Sequence, residues 1–181
     1  MTISAQQLFA VAADLLAGRP ADAAAEPEAR RLLVRLDYLG DDAATTAPAA
    51  EIDRQAALLR AAARLKRVFA LHPRAAPGLV FLGGEADPAA LGPAYAGAPV
   101  GSLAGSGTSL RAAFESCIGE GVEYLSQFEA PGEVLAEAPP DLPRIDPFPG
   151  CEPGAWPAAS RGWVRARRLG DDQPVLLPAE R

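Results

Sequence analysis

The amino-acid sequence predicts an α/β (α+β) protein: an incomplete mixed or antiparallel sheet with flanking helices and an N-terminal helical extension. Three observations lead there. Apolar residues recur at helical spacing through residues 1–75. A short apolar run between glycines, Gly78-Leu-Val-Phe-Leu-Gly83, suits a buried strand. Near the C-terminus, two strand-like runs flank a polar turn.

Taken in order, the first helix places Leu8, Val11, Leu15 and Leu16 on one face after an N-cap at Thr2 or Ser4, and Gly18-Arg19-Pro20 stops it. The second runs from Glu28 to Leu39, with Leu32, Leu33, Leu36 and Leu39 as its stripe, and ends at Gly40. The third runs from Glu51 to about Leu71, along Ile52, Leu58, Leu59, Ala62, Leu65, Val68 and Phe69, with Pro73 closing it. Such amphipathic helices need a surface to pack on. From Pro77 the pattern changes to the strand at Gly78–Gly83, a proline- and glycine-rich loop, and a short strand at Val100–Ala104. A glycine-rich turn and a helix from Leu110 to Phe128 follow. Residues 131–160 are proline-rich and read as an extended surface loop. The hairpin pairs Gly162–Leu169 with Pro174–Leu177 around Gly170–Gln173. Three to five strands without complete partners make an unfinished sheet. The chain reads as cut.

Composition narrows the function. The 181 residues are 49% hydrophobic and 22% charged, ordinary for a globular protein. Aromatic residues supply only 6%, so an alanine-heavy core gains less per residue and leans on a partner or on further sequence. A net charge of −6 argues against phosphate-neutralising nucleic-acid binding. Arg161, Arg165, Arg167 and Arg168 fall on both faces of a strand, which describes a solvated edge. Cys117 and Cys151 have neither disulfide nor zinc spacing. No secretory signal or membrane span is readable, which places the protein in the cytoplasm, away from membranes.

Residues 105–126 carry the chemistry. Gly105 and Gly107 flank Ser106, suggesting a backbone free to take φ > 0 and approach a ligand. Thr108 or Ser109 caps the next helix, and unpaired N–H groups at a helix start suit an anion such as phosphate. A GxGxS turn alone is weak, since glycines often precede helices. Glu120 and Glu123 project from one helical face with nothing basic at i+4, and Glu115 and Ser116 sit a turn earlier. Such a pair is either a solvated acidic face or a seat for a hard cation; Mg²⁺ commonly bridges one or two carboxylates to nucleotide phosphates. Gly119 and Gly121 leave room around Glu120 at a cost to the helix of about 1 kcal/mol each.

The whole string, GSGTSLRAAFESCIGEGVEYLS, resembles the signature of the YcaO family: glycine-rich turn, alanine-containing helix, Gly-Glu-x-x-Glu and a Leu-Ser ending. GWVRARRLGDDQPVLLPAE is similar to the family's next stretch, a hairpin ending in a "vPa"-like element. FLGGEADPAALGPAYAGAPVGSLAG resembles a subgroup found in peptide-modification clusters. The resemblance covers residues 78–181, so residues 76–181 read as the N-terminal part of a YcaO-like ATP-binding domain. It implies an enzyme that uses ATP and Mg²⁺ to phosphorylate a peptide amide oxygen. Attack by a Cys, Ser or Thr side chain then gives an azoline, and attack by a sulfide equivalent gives a thioamide, in ribosomal peptide modification. It also implies that Glu120 and Glu123 hold magnesium, while Ser116 and Gly105-Ser106-Gly107 line the nucleotide. The implied partners are a leader-bearing precursor peptide and either a partner protein or the missing second half. Ser106 stands where the family often has Lys, and Tyr124 where it commonly has Arg. The later carboxylate and amide groups that complete the family site are absent, so this chain alone is expected to be inactive. The rival readings are a non-catalytic YcaO-derived scaffold that binds a peptide or partner, and a plain α/β domain with an acidic helix.

The remaining residues carry bland roles. His72, before Pro73, reads as a helix C-terminal residue, and Cys117 as small core. Trp156 and Trp163 read as packing for the hairpin.

Overall fold

Ser4 starts the first helix, α1 (Ala5–Leu16): its side chain accepts from the Gln7 backbone N–H, and the Gln7 side chain accepts from the Ser4 N–H. This reciprocal capping box satisfies two donors that a helix start otherwise leaves unpaired. At the other end Gly18 takes φ +66, and the Arg19 N–H returns to the Asp14 carbonyl, closing the helix where the sequence places its stop. The computed structural model describes residues 3–40, 47–72, 76–128, 133–143, 162–168 and 170–179. They form two compact units, residues 1–128 and 129–181.

α2 (Glu26–Arg35) ends earlier than expected, at Asp37 instead of Gly40. Asp37 adopts φ +55, with the Tyr38 N–H bonded to the Leu33 carbonyl and the Asp37 N–H to that of Val34. This is a left-handed C-terminal motif with Asp in the glycine position, which hides it from a glycine-based reading. The turn swings Tyr38 and Leu39 into the core.

α3 (Ala49–Ala62) corrects the sequence reading more substantially. The third helix does not reach Leu71; Arg67–Leu71 is a strand, β1. Val68, Phe69 and Leu71 fit either period, but Val68 and Phe69 also suit a pleated surface, and Arg67 faces Glu85 across the sheet in an ion pair. His72 therefore follows a strand and not a helix, and it is exposed.

β1, β2 (Val80–Ala86) and β3 (Gly101–Gly107) form an antiparallel sheet in the order β1-β2-β3. Cα partners run Arg67↔Glu85 to Leu71↔Phe81 and Val80↔Gly107 to Ala86↔Gly101. Two 3₁₀ turns, Pro88–Leu91 and Pro93–Tyr95, fill the connection between β2 and β3. After Thr108 and Ser109 the chain enters α4 (Leu110–Ser126), which covers the face carrying Gly84, Leu103 and Gly105. The core joins Ala12, Leu33, Leu36, Leu59, Phe114 and Ile118, with Phe9 stacked on Phe114 at 5.7 Å. Each fully buried leucine contributes about 1.5–3 kcal/mol of transfer free energy. The opposite sheet face carries Phe69 and Leu71, both exposed.

The second unit holds β4 (Val134–Leu135), β5 (Trp163–Arg167) and β6 (Pro174–Pro178) in one antiparallel sheet. The expected hairpin is present as β5–β6, paired from Trp163↔Pro178 to Arg167↔Pro174. Its turn is held by the ion pairs Arg168–Asp171 and Arg167–Asp172, with Asp172 at φ +56. Most of the proline-rich stretch lies outside the described residues, as do Thr2, Pro73, Cys151, Trp156, Arg161 and Leu169. Among the described residues the architecture is α+β, and no helix is long and apolar enough to cross a membrane.

A charge network ties α3 to α4. Arg54 donates to Glu51 at 2.8 and 2.9 Å and to both carboxylate oxygens of Glu115 at 3.0 Å. Arg111 donates to Glu51 at 2.6 Å and to Glu115 at 3.0 Å. The Arg54 hydrogen bond, then that from Gln55, holds the Glu51 carboxyl near 2, against an ordinary 4.5. A carboxyl with a depressed folded pKa stabilises above its unfolded pKa and loses that contribution as pH falls through the folded one. The melting-temperature gap between wild type and Glu51→Gln should therefore shrink between pH 4.5 and about 2. A gap that stays constant across that window in a thermal melt would contradict this role for Glu51.

Candidate functional site

The glycines of residues 105–107 are strand residues. Gly105 pairs with Leu82 and Gly107 with Val80, and neither has a positive φ. The expected glycine-rich turn is thus corrected to a strand that runs straight to Thr108-Ser109. A Cβ on Gly105 would stand 2.3 Å from both the Ala113 carbonyl oxygen and the Cys117 nitrogen. One on Gly107 would stand 2.5 Å from the Ala112 Cβ. The glycines are there because α4 lies almost on the β3 backbone. Ser109, between them, caps α4 as expected, accepting from the Ala112 N–H at 3.1 Å.

This close packing fixes which face of α4 looks outward. Ala113, Phe114, Cys117, Ile118 and Gly121 are buried, so Ser116, Gly119, Glu120 and Glu123 share one exposed stripe at i, i+3, i+4 and i+7. The stripe runs beside the open edge of β3, and Glu120 Oε2 accepts from the Ala104 backbone N–H at 2.7 Å. Gly105 and Gly107 are consumed by packing. Ser106 is exposed on the sheet face away from α4, sharing that face with its pairing partner Phe81. The structure thus groups Ser116, Glu120 and Glu123 and turns the Ser106 side chain away from them.

The two glycines beside Glu120 differ. A Cβ on Gly121 would meet Leu103 at 2.9 Å and Leu65 at 3.2 Å, so that glycine serves the core. A Cβ on Gly119 would meet nothing within 4 Å. Nothing in the chain's own packing requires glycine there.

Glu115 does not join the outward carboxylates. It is held by Arg54 and Arg111 and accepts from the Tyr38 hydroxyl at 3.2 Å, while the Arg111 guanidinium lies over the Tyr38 ring. Burial first, then the Glu115 charge, raises the Tyr38 phenol. Within this network the Glu51–Arg54 pair at i+3 and the Arg111–Glu115 pair at i+4 have helical spacing, whereas the contacts between the helices leave no mark in the sequence. The Cys117 thiol is pushed up to about 11, chiefly by burial and further by the Glu120 charge, which suits an inert core residue. Tyr124 donates to the Pro99 carbonyl at 2.6 Å and packs edge-on against Phe128 at 5.4 Å, tethering α4 to the loop before β3.

No family model and no curated protein matches the sequence. The chain is similar to the structure of YcaO from Methanopyrus kandleri bound with AMPPCP and Mg²⁺, at 19% identity over 64% of this chain and 26% of that one, with a TM-score of 0.43. The chain spans about a quarter of that protein's length.

Among the described residues no group of three or more His, Cys, Asp or Glu side chains is arranged for a metal ion. The outward stripe offers two carboxylates, Glu120 and Glu123, and the Ser116 hydroxyl, all hard oxygen groups. That fits Mg²⁺, which takes one or two carboxylates and completes its shell with water and phosphate oxygens.

Alanine should have opposite effects at two of these glycines. Gly105→Ala should cost on the order of 3 kcal/mol, because backbone atoms of α4 must move. Gly119→Ala should add about 0.5–1 kcal/mol by relieving the backbone entropy of a helix-interior glycine. Denaturant unfolding of both variants checks this; a destabilising Gly119→Ala would reveal a packing demand at that position.

Proposed function

We propose that the chain is the N-terminal part of a YcaO-like enzyme that uses Mg-ATP to phosphorylate peptide amide oxygens, for azoline or thioamide formation in ribosomal peptide modification. The observation that carries the proposal is the outward stripe Ser116–Gly119–Glu120–Glu123, set within the signature-like string and free of basic partners among the described residues. Two neighbouring carboxylates repel, and no basic residue follows either at i+4, where Tyr124 and Gln127 stand. A divalent cation between them removes that repulsion.

The chain's residues divide the work. Glu120 and Glu123 hold the cation from one helix face, and Ser116, one turn earlier, offers a hydroxyl to the nucleotide side. The cation these residues would hold would supply neutralisation of phosphate charge. The arginine–glutamate network and the β3 glycines set the roll of α4, so that the carboxylates face outward. The peptide amide oxygen would attack the terminal phosphoryl group with loss of ADP, and a side-chain nucleophile or a sulfide equivalent would then attack the carbonyl carbon, with the former amide oxygen departing as inorganic phosphate. A precursor peptide and either a partner protein or a second half of the enzyme supply what this half-site lacks.

Calorimetric titration with Mg-ATP tests the assignment. Wild type should bind, and Glu120→Gln and Glu123→Gln should each lose about tenfold or more in affinity, as expected when a charged oxygen ligand becomes an amide. Affinity unchanged in both variants, or no binding by folded wild type, would overturn it.

A further inference from the structure

Ala104 lies on β3, whose only partner among the described residues is β2. Its N–H points away from β2, to the open edge, and Glu120 Oε2 takes it at 2.7 Å. The N–H is exposed, so water would satisfy it equally well, and holding a flexible glutamate in place costs rotamer freedom. The consequence of the bond is therefore directional. One oxygen of the carboxylate is pinned to the strand, while Oε1 takes no protein hydrogen bond among the described residues. The space beside the neighbouring residue is open, since even a Cβ on Gly119 would meet nothing within 4 Å. Carboxylates that ligate a metal are commonly oriented in this way by a hydrogen bond to the second oxygen.

We propose that the Ala104 backbone amide is a positioning group that pins Glu120 Oε2 to the edge of β3 and presents Oε1 to the cation. The proposal rests on the Mg-ATP reading of Glu120. Because the bond engages the other oxygen, metal binding and the hydrogen bond coexist instead of competing. A side chain at residue 104 matters little to this role, whereas the N–H matters greatly.

The test uses the full chain, ¹⁵N-labelled and titrated with Mg-AMPPCP, with affinity read by calorimetry. The Ala104 amide proton should keep its hydrogen-bonded shift and exchange more slowly at saturation. Ala104→Gly, which keeps the N–H, should bind within about threefold of wild type. Ala104→Pro removes only a donor that faces outward from an edge strand, where proline is tolerated, and should weaken binding about 10–100-fold. If that variant fails to fold, the wild-type amide decides alone. An Ala104 amide released to solvent as ligand binds, or a folded Ala104→Pro with wild-type affinity, overturns the proposal and leaves the Mg-ATP reading standing. Absence of binding by wild type overturns both.

Discussion

The contact on which the first unit depends is the approach of α4 to the backbone of β3. At Gly105 an added Cβ would sit 2.3 Å from two backbone atoms of the helix, a distance no relaxation of side chains can restore. Interiors packed to crystal-like density transmit such a demand instead of absorbing it. Glycine at 105 and 107, Gly84 on β2 and Gly121 on the helix all serve the same seam. With α4 seated there, Cys117 and Ile118 point inward, and the stripe from Ser116 to Glu123 has nowhere to face but out.

A second constraint fixes the roll of that helix. Glu51 and Arg54 on α3, Arg111 and Glu115 on α4, and Tyr38 after α2 form one connected group of hydrogen bonds. The pairs are half-exposed, so each contributes little alone, but a network that joins three segments supplies geometry even where single ion pairs supply little energy. It also separates two kinds of glutamate on one helix. Glu115 is ion-paired with two arginines, while Glu120 and Glu123 lie on the exposed face without a basic partner among the described residues.

Much of this was legible in the sequence, in proportion to how local the cause is. The α1 cap at Ser4, the stop at Gly18, the Ser109 cap and the β5–β6 hairpin follow from short-range chemistry and lie where expected. The failures share a cause too. The run from Arg67 to Leu71 satisfies both periods, and only its pairing with β2 makes it a strand. Gly105 and Gly107 suggested a phosphate-cradling turn because glycine permits positive φ; here they are needed for lack of a side chain, a tertiary demand invisible in the chain. Asp37 in a glycine-like position hid the end of α2. At the candidate site the helical spacing of Ser116, Glu120 and Glu123 was readable, but the Ala104 amide was not, since a backbone donor leaves no mark on the sequence.

We propose that the seating of α4 on β3 makes a cation seat of Glu120 and Glu123. Locating manganese(II) by anomalous scattering in crystals of the chain grown with AMPPCP tests it most directly. A peak should appear bonded to carboxylate oxygens of both residues, with Ala104 still bonded to Glu120. A peak elsewhere on the chain, with these two carboxylates empty in well-ordered density, would contradict it.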